Sequence, residues 1–344
     1  SSLSSLSSSS NLKIQRNSPI LNILPSLTDE NLRNSLKNKI IILLGDSITR
    51  YQYLNLVFFL ERKKWPNPFF DDEIMSGNPC CERSFVPISW TVFLSQTNSA
   101  LGGNELCDCW RQSWIENRRY HNPEINTTIV FAWYGRAPIY MRKGFTTFPP
   151  QKLCELNGTN CPSDIRTPFD EVTIGQIMSN LTIAFKPNIL IINWGHHHTY
   201  YSKTRGGDAV HQNLMDSFKR IQEAGINSTR FLFKTTTPFC KKEIKHYQTN
   251  RVVHCEPDNS DPHEYGLLAS QLVREKYFEL YNVHEQIMYL YSKSPMSPQL
   301  ITNQTSYYDS YPIYWDALHP NCWVMKELNR VLIATYFTSS KWVP

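Results

Sequence analysis

The 344-residue chain contains no run of about 18 apolar residues, the length a helix needs to cross a bilayer, so no segment reads as a membrane span. Charge of one sign is scarce as well. Lys+Arg 35 against Asp+Glu 30 leaves a net charge of +5, too mild to argue for nucleic acid as a partner. Charged residues are 19% and hydrophobic residues 41%, which excludes a disordered, collagen-like or coiled-coil chain. Internal repeats are lacking. The cysteines also lack the two-plus-two C-x-x-C spacing of a zinc site, so metal binding is the weaker reading and no metal ligands are assigned. At this length a chain buries roughly three quarters of its unfolded surface and needs no staples merely to fold. Length alone allows one domain or two.

What is present in quantity is cysteine, with nine residues, and aromatic side chains at 13%. The cysteines are Cys80, Cys81, Cys107, Cys109, Cys154, Cys161, Cys240, Cys255 and Cys322. Five N-x-[ST] sequons stand beside them, at Asn126, Asn157, Asn180, Asn227 and Asn303. Together they point to the secretory pathway, Golgi lumen or cell exterior, where disulfides persist and glycans are added. Cys154 with Cys161 and Cys240 with Cys255 would each close a short loop. Cys80 or Cys81 would then meet Cys107 or Cys109, and Cys322 would tie the C-terminal segment to that cluster; an odd count leaves one thiol over. The opening SSLSSLSSSS has the composition of a flexible linker. A removed signal peptide and a type II anchor with a serine-rich stem would both explain it.

Residues 1–37 read as stem and lead-in, and 38–340 as one domain. The apolar, β-branched run Lys39–Leu44 predicts a buried strand ending at Gly45. Ile48–Lys63 carries Leu54, Val57, Phe58 and Leu60 at helical spacing. Residues 64–125, with four cysteines and little periodicity, read as a disulfide-rich insertion. Strands follow at Thr128–Trp133, Asn188–Asn193 and Arg230–Thr235. Helices are predicted over Phe169–Phe185, Asp208–Ala224 with a cap at Gly225, Glu264–Tyr281 and Val324–Phe337. Strands alternating with helices predict an α/β fold, a three-layer α/β/α sandwich around a mostly parallel sheet. Such sheets place their sites at the carboxyl ends of the strands, and each motif below falls at such an end.

Gly45-Asp46-Ser47 follows the first strand. A serine there sits at a helix N-terminus, where backbone N–H groups suit a nucleophile whose reaction creates an oxyanion. The plainer reading is an ordinary Asp/Ser helix cap. Asp316-Ala317-Leu318-His319 precedes the last helix. Serine needs a general base and histidine needs a carboxylate to hold its tautomer, and an Asp three residues before a His folds back onto it within one turn. Asn193-Trp194-Gly195-His196-His197-His198 leaves the third strand as a pocket wall and donor source, since adjacent histidines rarely share one ion. Trp133-Tyr134-Gly135-Arg136 leaves the second strand, with Gly135 able to bring a backbone N–H close to a reacting centre. Trp133, Trp194, Trp315 and Tyr200–Tyr201 are candidate sugar platforms, with core filling the plainer role.

These motifs, in this order, resemble the SGNH (GDSL-type) hydrolase superfamily. The finer pattern is similar to its PC-esterase branch, which includes the trichome-birefringence-like polysaccharide O-acetyltransferases and the sialic acid O-acetyltransferases. GDSITRYQY is similar to the plant GDS-x-x-R-x-Q-W, with Tyr53 in place of Trp. NWGHHH resembles N-T-G-H-W-W, FAWYGRAP resembles Y-W-x-P-F, KTTTPF at Lys234–Phe239 resembles R-T-x-x-P, and DALHPNC resembles D-C-x-H-W-C. His197 stands where the superfamily's G-x-N-D motif has asparagine, and the cysteine after the motif's Asp is absent here. The resemblance implies a Ser47 nucleophile, a His319 base and an Asp316 that orients it. Oxyanion and substrate contacts would come from the Ser47 N–H, Gly135, Arg136, Gly195, His196 and His197, and Asp46, Arg50 and Gln52 would brace the site. It implies no bound cofactor, an unnamed acetyl donor, a glycan or polysaccharide substrate, and membrane contact only through an N-terminal anchor. The activity implied is transfer of O-acetyl groups to glycan hydroxyls. Acetyl-ester hydrolysis by the same triad and a non-catalytic glycoprotein module are the alternatives.

Overall fold

The computed structural model describes residues 27–66, 105–110, 115–133, 174–193, 207–238, 240–245, 252–257, 275–293 and 322–338, with Val273 and Pro320 between them. For the cysteines at 107, 109, 240, 255 and 322 it describes the backbone alone, and the other four lie outside the described residues, so the disulfide readings are not addressed.

The strand predicted from Lys39–Leu44 is β1 (Ile40–Gly45), whose side chains are buried on both faces from Ile41 onward. A strand covered on both sides belongs in the middle of a sheet. β1 pairs in parallel with β4 (Thr127–Trp133) on one side and β5 (Ile189–Asn193) on the other. Beyond β5 come β6 (Arg230–Lys234) and the short β9 (Glu279–Tyr281), also parallel. Counted in chain order, these five parallel strands run 2-1-3-4-5, the flavodoxin-like doubly wound order. The order reverses between β1 and β5, and the crevice outside their carboxyl ends is where such sheets bind ligands.

Alternate β-strand residues feed two cores. Ile41, Leu43, Ile129, Phe131, Ile191 and Leu232 face α1 (Asp29–Ser35), α2 (Ser47–Arg62), α5 (Val283–Lys293) and α6 (Cys322–Tyr336). Ile42, Leu44, Val130, Leu190, Ile192 and Phe233 face α3 (Ile174–Phe185) and α4 (Gly207–Glu223). This is the three-layer α/β/α arrangement. α4 ends as predicted at Gly225, whose φ of 72° lets its N–H reach Gln222 O while the Ile226 N–H reaches Ile221 O.

Four features depart from the sequence expectations. The stretch 64–125, read as an insertion without regular structure, contributes β2 (Glu105–Trp110) and β3 (Ile115–Asn122), an antiparallel hairpin that extends the main sheet beyond β4. Its alternation is masked because two inward positions are Glu105 and Arg118, which neutralise each other. The helix expected through Tyr281 ends sooner: 279–281 is β9, held by pairing with β6, and the helix that follows is α5. A two-stranded β7 (Cys240–Lys245) and β8 (Val252–Pro257) was not expected. Leu27, Leu32 and Leu36, ahead of the boundary drawn at 38, are also buried in the α2-side core.

Candidate active site

The β1–α2 junction is built by three consecutive residues. Gly45 ends β1 where an added Cβ would lie 2.8 Å from Thr49 Cβ, so only glycine lets the first turn of α2 settle this close to the strand. Asp46 is the N-cap: its Oδ1 accepts from the backbone N–H of Ile48 at 3.0 Å and of Thr49 at 3.4 Å. Ser47 is the first residue of α2, at the helix's positive end, and is 8% exposed. Strand, glycine, capping carboxylate and serine therefore stand at the carboxyl edge of the central strand, beside the point where strand order reverses.

A transverse row of residues supports the first turns of α2. Gly45 pairs with Trp133 of β4, Leu44 with Ile192 of β5, Asn193 with Lys234 of β6, and Lys234 with Tyr281 of β9. Arg50 lies with its guanidinium 5.7 Å from the Trp133 ring centre and 4.6 Å from that of Tyr51, donating to the Tyr51 hydroxyl at 2.8 Å. Trp133 is buried beneath this cation, which makes it a core residue and not a sugar platform. Gln52 donates to the Tyr281 hydroxyl at 3.0 Å, and Tyr281 in turn donates to Leu328 O of α6 at 2.8 Å. Burial and the nearby Tyr336 push the Tyr281 phenol up, and the Gln52 bond only partly offsets this. Asn329 of α6 closes the link, donating to Gln52 O and Asn55 Oδ1 at 3.0 Å each.

α6 is thus fastened to the same turns of α2 that follow Ser47. It runs toward the amino edge of the sheet, where Tyr336 O accepts from Arg230, the first residue of β6. Its beginning, at Cys322, consequently faces the carboxyl edge, as Ser47 does. Asp316 and His319 precede it and lie outside the described residues, as do Gly135, Arg136, Gly195, His196 and His197. The structure therefore brings together Asp46, Ser47, Arg50 and Gln52, and β4 and β5 end at Trp133 and Asn193, each two residues before its glycine, Gly135 or Gly195.

Sequence reasoning gave no role to Lys234 or Thr49. Lys234 is fully buried, and its ammonium donates to Thr49 Oγ1 at 3.4 Å. Burial lowers its pKa to about 8, against the opposing pull of the Asp46 carboxylate. The available signals were a lysine at the end of an otherwise apolar strand, RFLFK, and its place at the head of the KTTTPF motif. Among the described residues no cluster of His, Cys, Asp and Glu is set to hold a metal, and no helix is long and apolar enough to cross a membrane.

No protein-family model matches the chain, and no curated protein matches it. Among solved structures it is similar to a protein of Parabacteroides merdae ATCC 43184 described as a GDSL-like lipase, at 13% identity and a TM-score of 0.38, over 88% of this chain and 97% of that one. It is also similar to a protein of Chitinophaga pinensis DSM 2588 described as a lipase, at 11% identity and a TM-score of 0.33, over 87% and 97% of the two chains. Likeness at that level is silent on activity, so the functional reading rests on this chain's own residues.

Proposed function

We propose that this chain is a serine acyl-transfer enzyme of the secretory pathway that moves O-acetyl groups onto glycan hydroxyls through an acetyl-serine intermediate. The observation that carries the reading is Ser47 at the start of α2, on a glycine-dependent turn at the carboxyl end of the central parallel strand. The order of motifs supplies the partners. His319 precedes Pro320 and α6, and α6 is fastened to the α2 turns just beyond Ser47 by Asn329, Gln52 and Tyr281.

In the proposed reaction, Ser47 Oγ attacks the carbonyl carbon of an acetyl donor while His319 takes the serine proton. The bond to the leaving group breaks, and His319 protonates that group as it departs. A sugar hydroxyl then gives its proton to His319 and attacks the acetyl-serine, and Ser47 recovers its proton as the acetylated sugar leaves. Asp316 holds the imidazole in the tautomer both steps need. Oxyanion donors are the α2 N-terminus with the Gly135 and Gly195-His196 segments.

Turnover of an aryl acetate by wild type and Ser47→Ala tests this, with and without oligosaccharide. The expected loss on Ser47→Ala is about 10⁴-fold or more. Equal rates for the two would remove the enzyme reading and favour a binding module. Acetylated oligosaccharide as the product selects transfer, and acetate release that added sugar does not change selects hydrolysis.

A further inference from the structure

A fully buried lysine beside a candidate nucleophile is costly to maintain, because taking an ammonium out of water is repaid only by partners close at hand. Among the described residues, Lys234 has few: its ammonium donates one long hydrogen bond, 3.4 Å to Thr49 Oγ1, and the countercharge that acts on it is Asp46. Both partners belong to the turn that carries Ser47: Thr49 is the side chain packed over Gly45, and Asp46 caps the amides of Ile48 and Thr49. Leu232 and Lys234 share the α2-facing side of β6, so the lysine stem crosses beneath the first turn of the helix.

We propose that Lys234 is a positioning residue for Ser47, whose ammonium holds the Asp46 cap and the Thr49 side chain in place and makes the turn competent only while it is protonated. The proposal deepens the Ser47 reading and rests on it. Among the described residues, Thr49 and Asp46 of the β1–α2 junction act on the ammonium, Asn193 of β5 and Tyr281 of β9 flank Lys234 in the sheet, and His284 of α5 binds the next residue of the strand, its backbone N–H donating to Thr235 Oγ1 at 2.9 Å. Asp46 is the anion among them. With the proton gone from Lys234, the Asp46 carboxylate loses its buried countercharge, and the hydrogen bond to Thr49 loses its charge assistance because a neutral amine is a weaker donor. The turn then loosens around the serine. Because burial has lowered the lysine pKa to about 8, this happens within an accessible pH range.

Activity and stability should respond in opposite directions. The unfolded chain holds this proton up to the ordinary lysine value of 10.5, whereas the folded chain releases it at about 8. Stability contributed at this site therefore rises with pH across that window. Activity should fall over the same window, so the fall is not unfolding.

The test measures pH profiles of kcat/KM on an aryl acetate, with urea midpoints at each pH, for wild type, Lys234→Met, Lys234→Arg, Thr49→Val and Ser47→Ala. Wild type should show an alkaline limb near pH 8 that Lys234→Met lacks. Lys234→Met should also be slower at pH 7 by about 10- to 100-fold, less than the loss of a direct oxyanion donor. Lys234→Arg, which keeps its charge, should recover rate and move the limb above pH 10. Thr49→Val removes the lysine's hydrogen bond and should move the limb to lower pH, which keeps the proposal testable if the Lys234 variants fail to fold. A wild-type profile flat through pH 8, a limb unchanged in Lys234→Met or Thr49→Val, or equal losses in the Arg and Met variants would each overturn it. Failure of the Ser47 reading looks different: Ser47→Ala would turn over as fast as wild type.

Discussion

At the β1–α2 turn three neighbouring residues each do work that follows from their chemical type. Gly45 has no Cβ to strike Thr49, Asp46 offers an oxygen to two helix amides, and Ser47 stands where those amides concentrate positive potential. Gly45→Ala should therefore act on both folding and rate. Placing a methyl 2.8 Å from Thr49 Cβ forces the helix start away from the strand, at a cost of about 1–3 kcal/mol in urea unfolding. Esterase turnover should fall out of proportion to that cost, since Ser47 moves with the turn. Asp46→Ala and Asp46→Asn separate two contributions. Both leave the Lys234 ammonium without its buried countercharge, but asparagine still caps the helix. The alanine variant should be the less stable by about 1 kcal/mol, readable as a difference in urea midpoints.

At the scale of elements, α2 is clamped from two sides, and only one clamp lies near the site. On the far side, Tyr53 donates to Glu105 Oε1 at 2.8 Å while Arg118 binds Glu105 Oε2 at 2.7 Å, with both charged side chains wholly buried. The cluster ties the β2–β3 hairpin to the helix, and burial together with the Glu105 charge holds the Tyr53 hydroxyl well above its ordinary pKa. Removing one partner strands a buried charge, so Glu105→Ala should cost about 3–5 kcal/mol in chemical denaturation. Converting both Glu105 and Arg118 to Met should cost much less than Glu105→Ala, because no charge is left uncompensated. Tyr53→Phe leaves the ion pair intact and should cost about 1 kcal/mol. This cluster also explains why the hairpin escapes a search for alternating apolar residues: its inward positions are filled by a charged pair that only folding brings together.

Across the described part of the molecule, the candidate nucleophile and two of the candidate glycan sites occupy opposite edges of the sheet. Asn126, in the turn leading into β4, and Asn227, just ahead of β6, are both exposed and lie at the amino edge of the sheet. Ser47 is at the carboxyl edge. Asn180 is half-buried within α3, where its Oδ1 accepts from Arg220 of α4 at 3.2 Å. Secreted from a eukaryotic host, the protein should carry glycans at Asn126 and Asn227, read by glycopeptide mass spectrometry. Gln substitutions there should remove those glycans and leave aryl acetate turnover unchanged. Asn157 and Asn303 lie outside the described residues.

The parallel core was open to reading from sequence because its strands are continuous apolar runs, KIIILL, TIVFAW and NILIIN, which only a sheet covered on both faces can accommodate. The serine turn was open for a similar reason, since Gly45, Asp46 and Ser47 act on backbone groups within a few residues of themselves. Local chemistry of this kind is written into neighbouring positions. What tertiary structure decided is what depends on residues far apart in the chain. Strand order places β1 between β4 and β5, so the turn opens at the reversal point. The hairpin of β2 and β3 is held by a charge pair 13 residues apart, and β9 exists only as a partner for β6. Lys234 meets Thr49 across 185 residues. In the sequence it is a lysine at a strand end, heading the KTTTPF motif; in the fold it is a buried cation against Thr49 of the serine turn, because β6 and α2 pack together there and exclude water.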